Sequence, residues 1–456
     1  MSFLGLEIGD VTLAAIVADG GSFSTPACAL LEPTGAVYGE EARSAARSRP
    51  GFFHDRYWSN LAEQALRRPA AGMETLADLA HGQLQSLWNE HGEGISAVGC
   101  AVPVDWQREQ LALFLGIAEE LCIPVTHLVP MPVAATRRAC ADSQLLHVEA
   151  GRYTTQLCEM SQDGGASVAS TLALDGFGLA ALERSSADYF ARCFLEHSRF
   201  DPMYDADCEQ LLYDRMPVWI DTLRRDGTLQ LTLEQRGNEF TARASYSELA
   251  DRQRARCQPL IQAVRNRASA STPCALQLTA GLATVPGLAE TLADIAGCEV
   301  LVLEPAAAAR GLTERREGFA AGAGGVGLTE KLPFDQATLH LDMERALATR
   351  AGQMPTHMLA GDQVYRLGKT TLRIGAEAVE GGYNLVIDSR HSGVSRKHCS
   401  VECVNGQLTL SDHSRFGTRL NGHKVTGAVV LQAGDVISMG DPVCELRLLS
   451  ETGPAE

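Results

Sequence analysis

Apolar and polar positions alternate along this chain in two distinct rhythms. In the first two thirds, short apolar runs with turn residues alternate with longer stretches at helical spacing. The stretch Leu145-Leu-His-Val-Glu-Ala-Gly-Arg-Tyr-Thr-Thr155 predicts a buried strand, a tight turn carrying Glu149 and Gly151, and a second strand through Leu157. Leu4-Gly-Leu-Glu-Ile-Gly-Asp-Val11 predicts a similar strand, turn and strand near the N-terminus. Val98–Val104 and the run Leu276-Gln-Leu-Thr-Ala-Gly281 each read as a strand leading into a helix. Asp105 is placed to cap the first of those helices. Leu76, Leu79, Leu84, Leu87 and Trp88 recur at helical spacing, so residues 74–90 read as a helix.

Further along, helices are expected near 179–197 and 205–225, with a hairpin around the Arg-Gly-Asn turn at 236–238. Ser245-Tyr-Ser-Glu248 has capping-box spacing and is expected to open a helix to about Arg267. Strand 275–280, helix 285–296, strand 299–303 and helix 305–316 complete an alternating α/β pattern. Composition then changes. Phe319-Ala-Ala-Gly-Ala-Gly-Gly-Val-Gly-Leu328 reads as a flexible linker, and a short helix is expected near 342–351. After Pro355 the rhythm shortens to strands and turns at 357–367, 370–375, 384–387, 398–403, 406–411, 429–431, 435–438 and 443–449. That is a β-sandwich signature. The expected organisation is an α/β domain over 1–316, a linker over 317–354 and an all-β domain over 355–450.

Composition narrows the partners. The chain has 456 residues, enough for several domains, and a hydrophobic fraction of 45%, ordinary for a globular protein. Its net charge of −17 argues against a nucleic-acid or anionic-membrane surface. Lysine occurs only at Lys331, Lys369, Lys397 and Lys424, so no earlier residue can serve as a catalytic lysine. Such Lys-poor, Arg-rich usage fits a GC-rich bacterial source. The 13 cysteines stand singly with no C-x-x-C pair, so neither a metal site nor a disulfide framework is expected. Cys399 and Cys403 share one strand face and read as core. No signal peptide and no apolar run near the ~20 residues of a membrane span is visible, and a cytoplasmic location is expected.

The order of elements over 1–316 resembles the actin-like ATPase fold, and within it the nucleotide-binding domain of the 70-kDa heat-shock chaperones. Val102-Pro-Val-Asp-Trp-Gln-Arg-Glu-Gln-Leu111, Leu128-Val-Pro-Met-Pro-Val-Ala-Ala135, Leu278-Thr-Ala-Gly-Leu-Ala-Thr-Val-Pro286 and the run from Pro305 to Gly311 carry the resemblance. It implies a two-lobed domain whose cleft takes ATP or ADP with Mg²⁺. The implied cofactor-binding residues are Glu7 and Gly9, then Glu149, Gly151, Arg152 and Thr154, and Gly281 on the adenosine side. Acidic-glycine turns suit that role because successive backbone N–H groups form anion-binding concavities. The motifs depart from the family, however. Glu7-Ile-Gly-Asp-Val11 stands where the family has Asp-x-Gly-Thr-Thr, and Glu149-Ala-Gly-Arg-Tyr-Thr154 where it has Asp-x-Gly-Gly-Gly-Thr. Met131 falls on the family's active-site glutamate. Phosphoryl transfer rests on positioning and charge neutralisation. Arg152 and Tyr153 crowd the phosphate approach, Asp10 repels triphosphate, and Met131 cannot orient a water. A degenerate, pseudo-ATPase module is therefore expected, with no residue assigned a catalytic role. Arg152 is a candidate cation for a phosphate. Glu7 and Glu149 can equally be turn acids paired with nearby arginines.

Residues 357–449 resemble a forkhead-associated (FHA) domain, through Leu372-Arg-Ile-Gly375, Asn384-Leu-Val-Ile-Asp388, Gly393-Val-Ser-Arg-Lys-His398, Leu410-Ser-Asp412, Gly417-Thr-Arg-Leu-Asn-Gly422 and Ala433-Gly-Asp-Val-Ile437. The resemblance implies a phosphothreonine-peptide site. Ser395 and Arg396 match its phosphate-binding positions, Asn421 the residue gripping the peptide backbone, and His398 a structural histidine. Ala376 replaces an arginine of the family, and Arg415-Phe416 replaces its Ser/Thr-Asn pair. Arg373, Arg390 and Arg415 are candidates for the missing cation. The combined expectation is an adaptor: an actin-like α/β pseudo-ATPase module joined to an FHA sandwich that binds a phosphothreonine-containing or drifted protein ligand. The alternative is a weak ATP-binding or ATP-hydrolysing switch that regulates FHA-mediated binding.

Overall fold

The computed structural model describes residues 2–18, 20–268, 272–318, 326–340, 355–360, 363–368, 370–379, 382–388, 392–404, 407–433, 435–441 and 443–449. The helix expected near 342–351, most of the expected linker and Arg390 lie outside these residues. The chain divides into two compact units, 1–341 and 342–456.

The first unit contains two six-stranded sheets built to one plan. Strands β1 (Ser2–Ile8), β2 (Thr12–Val17) and β3 (Ser22–Pro26) form an antiparallel meander. Helix α1 (Leu76–His91) leads to β4 (Ile95–Val102), and α2 (Arg108–Glu120) to β5 (Val125–Pro130). Both of these strands join the meander in parallel. A short helix, α3 (Met131–Ala135), follows. The second sheet repeats the order with the meander β6 (Gln144–Ala150), β7 (Thr154–Ser161) and β8 (Ala166–Asp175). Helices α4 (Leu179–Ser198) and α5 (Ala206–Asp226), the hairpin β9 (Thr228–Gln235) with β10 (Asn238–Ser245), and helices α6 (Tyr246–Arg256) and α7 (Gln258–Arg267) intervene. Strands β11 (Cys274–Leu278) and β12 (Cys298–Val302) then extend the sheet in parallel. Spatial order is 3-2-1-4-5 within each five-strand set.

Helix α8 (Ala307–Glu314) ties the halves together. Phe3, Val129, Met131, Val133, Leu145, Met160, Ala308 and Leu312 form one buried cluster drawing on both sheets. Large apolar residues in such a cluster each contribute roughly 1.5–3 kcal/mol of transfer free energy. The approach is close enough to require glycine. A Cβ on Gly5 would collide with the Ala309 carbonyl, and one on Gly311 with the Ala134 carbonyl. Arg315, just past α8, is buried and donates to the carbonyls of Val133, Ala134, Thr136, Gly311 and Pro333, satisfying the C-terminal end of α3.

Several local expectations change. Residues 327–340, taken from composition as part of the linker, return to the first unit. Strand β13 (Gly327–Leu328) extends the first sheet beside β5, and β14 (Lys331–Leu332) extends the second beside β8. Strand β15 (Leu339–His340) pairs with Cys140–Ala141. Asp105 does not cap α2. Gln107 and Gln110 close a capping box there instead, with the Gln107 amide donating to Gln110 Oε1 at 3.0 Å. The Ser245–Glu248 box does not form either: Ser245 Oγ meets Ser247 Oγ and Glu248 receives the Tyr189 hydroxyl. The helix expected to run on to Arg267 breaks at Cys257, because Pro259 lacks the N–H an uninterrupted helix would need.

In the second unit, two sheets enclose a core of Met358, Leu372, Ile374, Leu385, Val401, Leu410, Ile437, Leu446 and Leu448. One sheet has the order Gln363–Arg366, His357–Ala360, Cys444–Leu449, Val436–Met439, Arg419–Leu420, His423–Lys424. The other runs Tyr383–Val386, Leu372–Gly375, Cys399–Val404, Gln407–Asp412, Ala428–Val430. Most expected strands of this β-sandwich appear within a few residues of their expected positions, but the run expected over 357–367 forms two paired strands, His357–Ala360 and Gln363–Arg366, and the short pair Arg419–Leu420 and His423–Lys424 was not expected.

Candidate functional site

Two regions gather polar side chains, one in each unit. In the first unit, the β1–β2 and β6–β7 turns line a cavity of about 660 Å³ together with the N-terminus of α3, the start of α8 and Gly281. Of the residues expected there, Glu7, Gly9, Glu149, Gly151, Thr154 and Gly281 all line it, and so does Met131. Arg152 does not. It lines a neighbouring cavity of about 460 Å³ with Asp55 and Glu183.

The contacts explain this split. Asp10 Oδ1 accepts a hydrogen bond from the Arg152 backbone N–H at 2.9 Å. A Cβ on Gly151 would lie 2.9 Å from that same oxygen. The amide concavity of the second turn is therefore occupied by a carboxylate of the first. The Arg152 guanidinium turns away, with Nε 3.2 Å from Asp55 Oδ2 and Nη1 2.5 Å from Glu183 Oε2. Tyr153 follows it: its hydroxyl donates to Asp55 at 2.7 Å, and Arg56 stacks over its ring. Thus Tyr153, which lines the cavity, has its hydroxyl committed to Asp55, and Arg152 is already neutralised.

Glu7 accepts from the amides of Ala308 and Ala309 at 3.0 and 3.3 Å, at the N-terminus of α8. A carboxylate is favoured there by the helix dipole. Its pairing with an arginine does not occur, nor does that of Glu149, whose Oε2 is buried without a partner. Burial raises the pKa of Glu7 despite those amides. It raises Glu149 far more, with the negative charges of Glu7, Asp105 and Asp10 adding to the effect. Asp10 is pushed up to about 6, mainly by desolvation.

Other cavity residues escaped the sequence reading. His147, on β6, is buried with Nδ1 3.1 Å from Gln277 Oε1, and burial lowers its pKa to about 4. Gln156 on β7 donates from Nε2 to Asp105 Oδ2 at 2.9 Å, while its Oε1 is buried and unpartnered. The Trp106 indole N–H is likewise buried without a partner. Asp55 carries no local signal at all, because its partners stand 97 and 98 residues away in sequence. Among the described residues no group of three or more His, Cys, Asp and Glu is arranged to hold a metal ion.

In the second unit the loops at 392–398 and 413–418 come together. The Arg415 amide donates to Ser395 Oγ at 3.1 Å, and Ser395 N–H donates to His398 Nδ1 at 3.0 Å. His398 is buried, and desolvation lowers its pKa, so the ring is neutral at physiological pH. Arg396 and Arg415 are exposed on these loops, and Phe416 beside them is 69% exposed. Gly375 is needed below them, since a Cβ there would strike the Arg396 carbonyl.

Residues 372–440 match the family model of the FHA domain. The second unit is an FHA domain. No curated protein matches the chain. In this FHA domain, the Arg415 backbone amide meets the Ser395 hydroxyl, and Arg396 is exposed next to Ser395 in sequence. Asn421 makes two side-chain hydrogen bonds within the domain. It sits at φ 52°, its Nδ2 donates to Asp435 Oδ1 at 2.8 Å, and its Oδ1 accepts from Val436 N–H at 2.9 Å. Its side chain ties its turn to the start of the neighbouring strand Val436–Met439. Arg373 projects from the outer face of strand Leu372–Gly375, opposite the core residues Leu372 and Ile374. No helix of the described residues is long and apolar enough to cross a membrane.

Proposed function

We propose that this protein is an interaction adaptor: an FHA domain directed at phosphothreonine-containing partners, joined to a degenerate actin-like module that does not turn over nucleotide. The FHA loops support the first half. Two exposed arginines flank a serine hydroxyl, which is the donor set a phosphate needs. Arg396 carries the direct contact, Ser395 adds its hydroxyl and orients the loop, and Arg415 stands in for the cation missing at Ala376.

The actin-like reading of the first unit is supported by its duplicated 3-2-1-4-5 sheets and by two acidic-glycine turns lining one cavity. The single observation that carries the pseudo-ATPase reading is the Asp10 carboxylate on the Arg152 amide. A phosphate arriving at that turn must displace a carboxylate already hydrogen-bonded there, and then meets Glu7 and Glu149. Met131 offers no oxygen to orient a water.

The test uses the full-length protein. Isothermal titration with ATP and MgCl2 is expected to give no binding heat. Titration with a phosphothreonine peptide pool is expected to give saturable binding that the unphosphorylated pool lacks. Micromolar ATP affinity with turnover abolished by Glu7→Gln and Glu149→Gln would restore the alternative, an ATP-driven switch. Peptide binding indifferent to phosphorylation would overturn the FHA reading.

A further inference from the structure

The cavity of the first unit has the wrong charge for a phosphate but a consistent chemistry of its own. Glu7, Asp10, Asp105 and Glu149 line it together. Their charges act on one another: Glu149 feels Glu7, Asp105 and Asp10, and Asp10 feels Asp105. Some of the cations nearby are engaged, although Arg56 and Arg310 also line the cavity. Arg152 lies between Asp55 and Glu183, Arg310 pairs with Glu304 at 2.8 Å, and Arg56 stacks on Tyr153. His147 is held neutral by burial.

A second observation is independent of charge. Gln156 is only 8% exposed, and its Oε1 has no donor. Its other atom, Nε2, is spent on Asp105, so the amide is fixed with its oxygen unsatisfied beside the cavity. Glu149 Oε2 is a second buried acceptor without a donor. Buried acceptors left unpaired are costly, and native proteins rarely keep them without a partner. The two unsatisfied acceptors and the carboxylates call for N–H donors carrying positive charge, and the same lining also holds two donors without a hydrogen-bond partner, the Trp106 indole N–H and Arg310 Nε. Ala14, Ile16, Trp106, Met131, Leu303 and Ala307 supply apolar stretches between the polar lining residues. That suits methylene segments between the charges, and the Trp106 ring favours a cation near it.

We propose that this cavity is a binding site for an organic polycation of the alkyl di- or polyamine class. One ammonium reaches Glu149 and the Gln156 carbonyl in the interior, and another reaches Asp105 towards the exposed side. The proposal rests on the reading that the cavity is not a nucleotide site, and the experiment separates the two.

Full-length protein is titrated with spermidine in 150 mM NaCl, by calorimetry and by thermal shift. One-to-one binding is expected. The affinity should rise at least roughly tenfold between pH 5 and pH 7.5 as the facing carboxylates ionise, against fixed charges at Arg56 and Arg152 and a neutral His147. Glu149→Gln should weaken binding by about tenfold or more. That variant replaces a buried carboxyl whose pKa burial raises with a neutral side chain of the same size, and it should fold at least as well as the parent. If it does not fold, Asp10→Asn carries the same expectation. A spermidine effect matched by NaCl of equal ionic strength would overturn the proposal, as would affinity unchanged in the variants. Micromolar binding of ATP with MgCl2 alongside spermidine binding would overturn only the pseudo-ATPase reading. ATP binding without any spermidine binding would overturn both.

Discussion

The cleft of the first unit and the loops of the FHA domain start from similar materials, a few charged residues around glycine turns. They spend them in opposite ways. In the cleft, Asp10 binds the Arg152 amide, Arg152 binds Asp55 and Glu183, and Tyr153 binds Asp55. In the FHA loops, backbone groups and the neutral His398 hold the shape while Arg396 and Arg415 stay exposed. A group already satisfied at home must break a contact before it meets a ligand. An exposed arginine held on an ordered loop need not. On the proposed reading, phosphate binding therefore belongs to the second unit and not to the turns that look more like phosphate motifs.

The largest break in this comparison should come from Asp55→Ala. It leaves the Tyr153 hydroxyl unpaired and Arg152 with one carboxylate, and is expected to cost the first unit about 3 kcal/mol. Urea unfolding of the full-length protein should show an early transition, with phosphothreonine-peptide affinity unchanged. Arg396→Ala should do the reverse. Loss of one charge-assisted donor, roughly 2 kcal/mol, weakens the peptide complex about thirtyfold and leaves the melting temperature unchanged.

Asp10→Asn sharpens the comparison through pH. The Asp10 pKa is raised from 3.8 in the unfolded chain to about 6 when folded, so it favours the folded state fully below pH 3.8. That contribution is lost as pH rises through 6. Relative to the parent, the variant should be equal or weaker near pH 4 and more stable near pH 7, by on the order of 2 kcal/mol. His147 titrates in the opposite sense but is present in both proteins and cancels in the difference. A flat difference between pH 4 and 7 would show that Asp10 is not buried as described. The smallest effect belongs to Phe416→Ala on the FHA surface, within about 0.5 kcal/mol in stability. Any change it makes should appear in the peptide sequences selected, read by array.

What was legible in the sequence follows the range of the interactions. Strand alternation in the FHA domain and the two acidic-glycine hairpins are local patterns, and each appears where the pattern places it. Local chemistry also flagged Asp10, but only as a repulsive charge. Its actual partner, the Arg152 amide, lies 142 residues on and had no signature. Asp105 illustrates the competing claim. It has the right spacing to cap α2, yet Gln107 takes that task and leaves Asp105 to hold Gln156. The return of residues 327–340 was hidden because a glycine-rich run reads as a linker whether or not the chain beyond it rejoins a sheet.

That return has a practical corollary for anyone dissecting the molecule. Strands β13 and β14 cover one edge of each large sheet. A fragment ended at residue 316, where composition suggests a boundary, would uncover β5 and part of β8 as unpaired hydrogen-bonding edges. Such edges are templates for aggregation. It would also strip Arg315 of the Pro333 carbonyl. Poor solubility or lost binding in that fragment would then report a bad cut rather than the character of the cleft, and the safe place to cut lies after residue 340.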